Sequence, residues 1–168
     1  ATSFGGSSIT HDGTTFNSGT GAVTITGTGA LSFAGSSNMN FGGTMTIPTN
    51  RALSNDKSSG TLTLGALTIS SPTATNSFTL ATNSVTTVTG ALTFSANVTA
   101  NNQTITLKGT ADLNVGGNLV MTGVPTSTGV SQIVCDATGT SAHVDVTGTT
   151  SITAATTAVA GKNIVDLS

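Results

Sequence analysis

Charged and aromatic side chains are scarce in this sequence of 168 residues. It has 4 Lys and Arg, 6 Asp, no Glu, no Trp and no Tyr. A net charge of −2 spread over so few groups provides no basic surface for phosphates, which excludes a nucleic-acid-binding protein. The strong helix formers Glu, Lys, Arg and Gln are nearly absent, so a helical protein is excluded as well.

Cysteine is represented by one residue, and long apolar runs are missing. The single Cys135 cannot form an internal disulfide, and a small buried apolar side chain is its expected role. No apolar run exceeds three residues, so the sequence predicts no insertion into a membrane. The first ten residues, ATSFGGSSIT, lack the charged start and apolar stretch of a signal peptide.

Hydroxyl and glycine residues dominate what is present, with 37 Thr, 20 Ser and 21 Gly. Thr and Val are abundant, and both suit a pleated, half-buried strand. The composition therefore predicts an all-β protein.

A short phrase that begins with glycine recurs along the chain and predicts the architecture. GAVTI, GTMTI, GALTI, GALTF and GNLVM start at Gly21, Gly43, Gly65, Gly90 and Gly117, at intervals of 22, 22, 25 and 27 residues. The second position after each glycine is apolar, as is the fourth: Val23, Met45, Leu67, Leu92 and Leu119, then Ile25, Ile47, Ile69, Phe94 and Met121. This alternation is typical of a strand with one buried face. Repeats of this length predict a β-solenoid with coils of about 22–27 residues and two or three strands each, in which the apolar positions stack as interior ladders.

The last quarter of the chain is less regular. Gly139 and Gly161 continue the 22-residue interval, but polar residues occupy positions that should be apolar. We therefore predict a repetitive solenoid over residues 1–122 and an irregular β cap or interface over residues 123–168, with a single continuous domain as the alternative. A linker is predicted at residues 123–129, and a solvated loop at residues 48–60.

Residues suited to catalysis or metal binding are few. His143 and Asp145 lie two residues apart, as on one face of a strand, and Asp112 is the only acidic residue inside the clear repeat strands. No recognisable metal-binding or phosphate-binding motif is present. The sequence predicts neither an enzyme nor a cofactor. Two sequons, at Asn97 and Asn102, are expected by chance in a chain this rich in Asn and Thr.

The outward position between the two apolar columns is the regular surface feature. It holds Thr24, Thr46, Thr68 and Thr93. A stacked threonine array resembles the ice-binding faces of antifreeze solenoids, which makes these four residues a candidate face for ice or polysaccharide. The alternative is that threonine is simply a favourable exposed strand residue.

The segment NVGGNLVMTGVPTSTG at residues 114–129 resembles phrases in bacteriophage tail-fibre and related virion fibre proteins. This resemblance implies a non-enzymatic, elongated fibre segment on a virion, often trimeric, that leads to a receptor-binding tip. The Thr/Gly/Asn-rich repeats are also similar to filamentous-haemagglutinin-like adhesins of bacterial surfaces. We expect a homotrimer or filament in a virion or outside the cell, with a host-surface glycan or protein as partner. A bacterial adhesin or a pilus-like filament subunit is the alternative.

Overall fold

The described part of the chain is built entirely from short parallel strands. The structure, a computed structural model, describes residues 2–48, 50–70, 73–97, 100–122, 128–136, 141–153 and 163–166. Within these ranges every strand pairing is parallel and no helix occurs. The all-β prediction is confirmed.

The strands stack in three columns, which we call ladders 1, 2 and 3. Ladder 3 contains β1 (Thr2–Phe4), β4 (Val23–Ile25), the C-terminal parts of β6 (Met39–Ile47) and β8 (Thr61–Ile69), β11 (Leu92–Phe94), β14 (Leu119–Thr122) and β17 (Thr150–Thr153). Ladder 1 contains β2 (Ser8–Thr10), β5 (Gly29–Ala34), β7 (Arg51–Asn55), β9 (Asn76–Leu80), β12 (Gln103–Leu107), β15 (Ser131–Cys135) and β18 (Asn163–Asp166). Ladder 2 contains β3 (Phe16–Asn17), the N-terminal parts of β6 and β8, β10 (Val85–Val88), β13 (Asp112–Val115) and β16 (His143–Val146).

Each turn of the chain visits ladder 1, then ladder 2, then ladder 3, before it returns to ladder 1 one strand further along the axis. Neighbouring strands in a sheet lie about 4.8 Å apart, so seven stacked strands extend roughly 30 Å. The fold is therefore a β-solenoid, as the repeat predicted, with two or three strands in each turn, because β6 and β8 each run through both ladder 2 and ladder 3.

The glycine-led phrases lie on top of one another in ladder 3. Val23 pairs with Met45, Met45 with Leu67, Leu67 with Leu92, and Leu92 with Leu119. All ten predicted core positions are buried. Removing an aliphatic side chain of this size from water stabilises the fold by about 1.5–3 kcal/mol, so the interior column is a major source of stability.

Ladder 1 and ladder 2 contribute the rest of the interior. In ladder 1 one inward position is apolar in five successive strands: Leu31, Leu53, Phe78, Ile105 and Ile133. Phenylalanines fill the first turns, where the rings of Phe4, Phe16 and Phe33 pack around Phe41 at centroid distances of 5.4–5.6 Å. The side chains of all three ladders thus meet in one core.

Glycine begins each phrase because the chain bends there from ladder 2 into ladder 3. A Cβ atom on Gly65 would lie 2.6 Å from the carbonyl carbon of Gly42, and one on Gly117 would lie 2.6 Å from that of Gly90. Such distances are too short for any side chain. Successive turns therefore stack closely at this corner only with glycine.

Turn length grows along the chain. Thr2 pairs with Val23, 21 residues later, whereas Leu119 pairs with Thr150, 31 residues later. The glycine that stacks on Gly117 is Gly148, 31 residues later, which agrees with the predicted loss of regularity in the last quarter of the chain. The reason is that the loops lengthen while the stacked strands keep their register. Gly139 and Gly161 themselves lie outside the described residues.

The predicted boundary at residue 123 is crossed by continuous pairing, since β15 pairs with β12 and β17 with β14. Whether residues 123–168 act as a cap or an interface stays a prediction. Residues 123–127 of the predicted linker lie outside the described residues.

The solvated loop predicted at residues 48–60 was wrong. This segment contains β7, and both Arg51 and Lys57 are buried. Leu53 is buried in the interior of ladder 1, which holds the strand against the core. Arg51 can be buried as well because backbone carbonyls of earlier turns accept its hydrogen bonds.

Candidate functional site

The four predicted surface threonines lie side by side on ladder 3. Thr24 pairs with Thr46, Thr46 with Thr68, and Thr68 with Thr93. Thr24 and Thr46 are exposed, whereas Thr68 and Thr93 are half-buried. The array continues through Val120 to Ser151. We call the outward side of ladder 3, centred on these residues, the ladder-3 surface.

The hydroxyl groups of the four threonines make no hydrogen bond within the described part of the protein. The ranks on either side of them are mixed. Toward the glycine corner the residues are Ala22, Thr44, Ala66 and Ala91, and on the other side they are Thr26, Pro48, Ser70 and Ser95. The side chains on this surface are therefore small and mostly polar, and one rank of them is regularly threonine.

The ladder-3 surface is also free of charge. The ladder-3 strands β4, β6, β8, β11 and β14 and their flanking turns have no Asp, Glu, Lys, Arg or His, and neither does β17: residues 18–30, 42–50, 65–75, 89–102, 116–130 and 147–153. Ionisable residues are instead concentrated in the turns from ladder 1 into ladder 2 and on ladder 2 itself: His11, Asp12, Asp56, Lys57, Lys108, Asp112, Asp136, His143 and Asp145. The solenoid thus has a charged edge and an uncharged face.

The charged edge brings together two residues that the sequence analysis had treated separately. Asp112 and His143 are register partners on ladder 2, and Asp112 Oδ1 lies 3.4 Å from His143 Nδ1. The two side chains are 39% and 76% exposed. A pair this open to water has weak electrostatic coupling and is not shielded from solvent. This exposure argues against an activated catalytic dyad.

Carboxylates in the first turns organise the loops around them. The Ser36 backbone N–H donates to Asp12 Oδ1 over 2.8 Å, and Ser32 Oγ donates to Asp56 Oδ2 over 2.6 Å. Lys57 Nζ donates to the Ser37 carbonyl. Burial lowers the pKa of the Lys57 ammonium below its ordinary value of 10.5, and the Asp12 carboxylate partly opposes that shift.

A buried polar column along ladder 1 was not predicted. Its members are Arg51, Asn76, Gln103 and Ser131. Gln103 Nε2 donates to the Ser70 carbonyl over 2.7 Å, and Ser131 Oγ donates to Gln103 Oε1 over 2.5 Å. These side chains satisfy backbone groups that the loop into ladder 1 leaves unpaired. The available signal was a polar residue two positions before the inward apolar residue in four successive strands: Leu53, Phe78, Ile105 and Ile133.

Metal binding and glycosylation find little support in this geometry. Across the described ranges, no three His, Cys, Asp or Glu side chains come together as metal ligands. The Asn97 sequon is unsuitable for an accessible glycan because Asn97 is buried and its Nδ2 donates to the Asn101 carbonyl over 2.7 Å. The described part of the chain also contains no helix able to cross a membrane.

Comparison with protein-family models, with curated proteins and with solved structures finds no match to this chain. The candidate site is therefore defined by this chain's own residues, which form an uncharged threonine surface on a rigid scaffold of parallel strands.

Proposed function

We propose that this chain is a non-enzymatic structural segment of an elongated virion fibre, such as a phage tail fibre, or of an extracellular fibre. It acts as a spacer and as a rod that presents its surface. The observation that carries the proposal is the unbroken stack of parallel strands around one apolar column from Val23 to Leu119. Such a stack forms a continuous rod without a hinge.

The chemistry of the rod suits exposure to harsh surroundings. Backbone groups of the stacked strands are paired between turns, which protects them from proteases. Few charged side chains are present, so the fold depends little on salt. Both properties favour a persistent fibre outside the cell.

The resemblance of residues 114–129 to tail-fibre phrases supports the virion assignment, and the repeats support an adhesin or pilus-like filament as the alternative. The partner in either case is further copies of the chain, as a homotrimer or a filament. A host-surface glycan or protein is the proposed target of the complete fibre.

The particle's shape and mass in solution test this proposal. We expect small-angle scattering to show an elongated particle, and light scattering to give a multiple of the 16.3 kDa chain mass. Slender trimers support the virion fibre, and long polymers support the filament alternative. A particle that stays monomeric and globular at all concentrations would contradict both.

A ligand-binding module for ice or polysaccharide is the second candidate function. The specific observation in its favour is the uncharged ladder-3 surface with its stacked threonines. It is compatible with a fibre role, since a rod presents its faces along its whole length.

The non-enzymatic assignment has its own test. The purified chain should leave neutral and acidic polysaccharides uncleaved. Cleavage that disappears in Asp112→Asn would overturn the assignment, because Asp112 is the acidic residue of the clear repeat strands and lies beside His143.

A further inference from the structure

We propose that residues 2–17 form a strap that opens as one unit, and that Arg51 holds this strap closed from inside the solenoid. The strap comprises β1, β2 and β3 with the turns between them. Its opening uncovers the edges of β4 and β5 and of the N-terminal part of β6. The device does not depend on the fibre assignment, because it follows from contacts within one chain.

Apolar burial holds the strap only in part. Its strands are three, three and two residues long. Their inward apolar side chains, Phe4, Ile9 and Phe16, are partly buried. The side chains that pair with these three in the next turn are at most 4% exposed. Segments with few buried apolar contacts are the ones that open locally at a lower free energy than global unfolding.

Side-chain hydrogen bonds at the surface of the strap are open to water. Thr26 Oγ1 donates to the Phe4 carbonyl over 3.2 Å, and Ser36 donates to Asp12 Oδ1 from its backbone N–H and its hydroxyl. All of these bonds are exposed. Water therefore competes for each donor and acceptor, which leaves a small net contribution to closure.

Arg51 makes a contact of a different kind with the strap. Its Nη2 donates to the Gly6 carbonyl over 2.9 Å, and its Nη1 donates to the Thr28 carbonyl over 2.6 Å. The bond to Gly6 joins residues 45 apart, so it links the strap directly to a strand two turns away. Arg51 is 1% exposed, and a hydrogen bond from a charged donor is stronger than a neutral one. The guanidinium thus gives the strap a buried, charge-assisted contact.

The place of Arg51 in the buried polar column explains how it reaches the strap. Arg51 pairs with Gly29, which has no side chain to extend the column through the turn between. Arginine is long enough to cross that turn and approach the second strand, at strand spacings of about 4.8 Å. Gln103, at the same position two strands later, donates to the Ile69 and Ser70 carbonyls, only one turn earlier. The column therefore contacts the strap through its arginine.

Hydrogen exchange followed by NMR on the whole chain tests the strap. Four backbone amides bond across the boundary between the strap and the next turn, and they report on its opening: His11, Phe16, Thr26 and Ser32. The amides of Thr89 and Lys108 report on the middle of the solenoid. In the unmodified chain we expect the four boundary amides to share one opening free energy, lower than that of the middle amides.

The test variant is Arg51→Met, which removes the guanidinium and keeps a long apolar side chain. The matched control is Gln103→Met, from the same buried column. We expect the boundary amides to exchange about tenfold faster in Arg51→Met, while the middle amides keep their rates. We expect Gln103→Met to leave the boundary amides unchanged, because its contacts lie in later turns.

Three results would overturn the proposal. In the unmodified chain, the boundary amides could open only together with the middle amides. In Arg51→Met, the boundary amides could keep their rates, or boundary and middle amides could accelerate equally. If Arg51→Met does not fold, Arg51→Lys replaces it, because lysine keeps the charge but lacks the fork of two terminal nitrogens. The same acceleration, confined to the boundary amides, is expected there.

Discussion

Two cations, Arg51 and Lys57, show how single residues are accommodated inside this protein. Arg51 is 1% exposed, and its guanidinium donates to the carbonyls of Thr28 and Gly6, one and two turns earlier. Lys57 likewise donates to a backbone carbonyl, that of Ser37. Carbonyl dipoles partly replace the water that these cations lose, yet a desolvation cost remains.

That cost makes stability depend on pH through Lys57. Burial lowers the pKa of Lys57 in the folded chain below 10.5, so the unfolded chain holds more protons between the folded pKa and 10.5. Stability should therefore rise with pH across this window. We predict that urea unfolding shows this rise for the unmodified chain and a smaller rise for Lys57→Met. The exposed Lys108→Met serves as control and should keep the full rise. Identical pH profiles for all three proteins would reject the explanation.

At the scale of the element, the turn from ladder 2 into ladder 3 depends on stacked glycines. The strands β6 and β8 continue through this corner, and β6 has an irregular register between Phe41 and Thr44. Close contact between successive backbones leaves no space for a Cβ atom there. The glycine of each phrase is thus a steric requirement of stacking.

Gly65→Ala tests this requirement. The added methyl would lie 2.6 Å from the carbonyl carbon of Gly42, so the backbone has to shift. We predict a loss of about 2 kcal/mol or more in the free energy of unfolding, as for an overpacked core. Gly6→Ala is the control, because a Cβ atom there meets nothing within 4 Å. A loss no larger than that of the control would show that the corner has room.

At the scale of the whole molecule, the stack derives its stability from burial and backbone pairing. Within the described ranges the one ion pair is His143–Asp112, which is largely open to water. Exposed pairs of this kind contribute about 0–1 kcal/mol each. Salt therefore screens only a small stabilising electrostatic contribution.

We predict that the melting temperature changes by no more than about 2 °C between low salt and 1 M NaCl, since exposed pairs contribute so little. Differential scanning calorimetry measures this directly. A large fall with salt would mean that electrostatic contacts outside those described here hold the turns together.

The repeat, the strand class and the interior of the solenoid could all be predicted from the order of residues alone. Because apolar residues alternate at fixed offsets from a glycine, the stacking of Leu67 on Leu92 could be predicted from spacing alone. The outward threonines followed from the same alternation, which puts Thr68 beside Thr46. Local patterning is sufficient for these two predictions because each ladder-3 strand repeats the same alternation of inward apolar and outward residues.

The positions of the less regular residues depend on how successive turns stack, which the order of residues does not reveal. Loop length is nearly unconstrained by stacking, so the step from Gly117 to Gly148 could not be predicted from earlier intervals. Arg51 has the appearance of a loop residue in sequence, and its burial depends on carbonyls from earlier turns. The pairing of Asp112 with His143, and the separation of a charged edge from an uncharged face, likewise arise when distant segments come into register. Short-range alternation fixes which residues point inward, but neighbours across turns are set by how the whole chain winds.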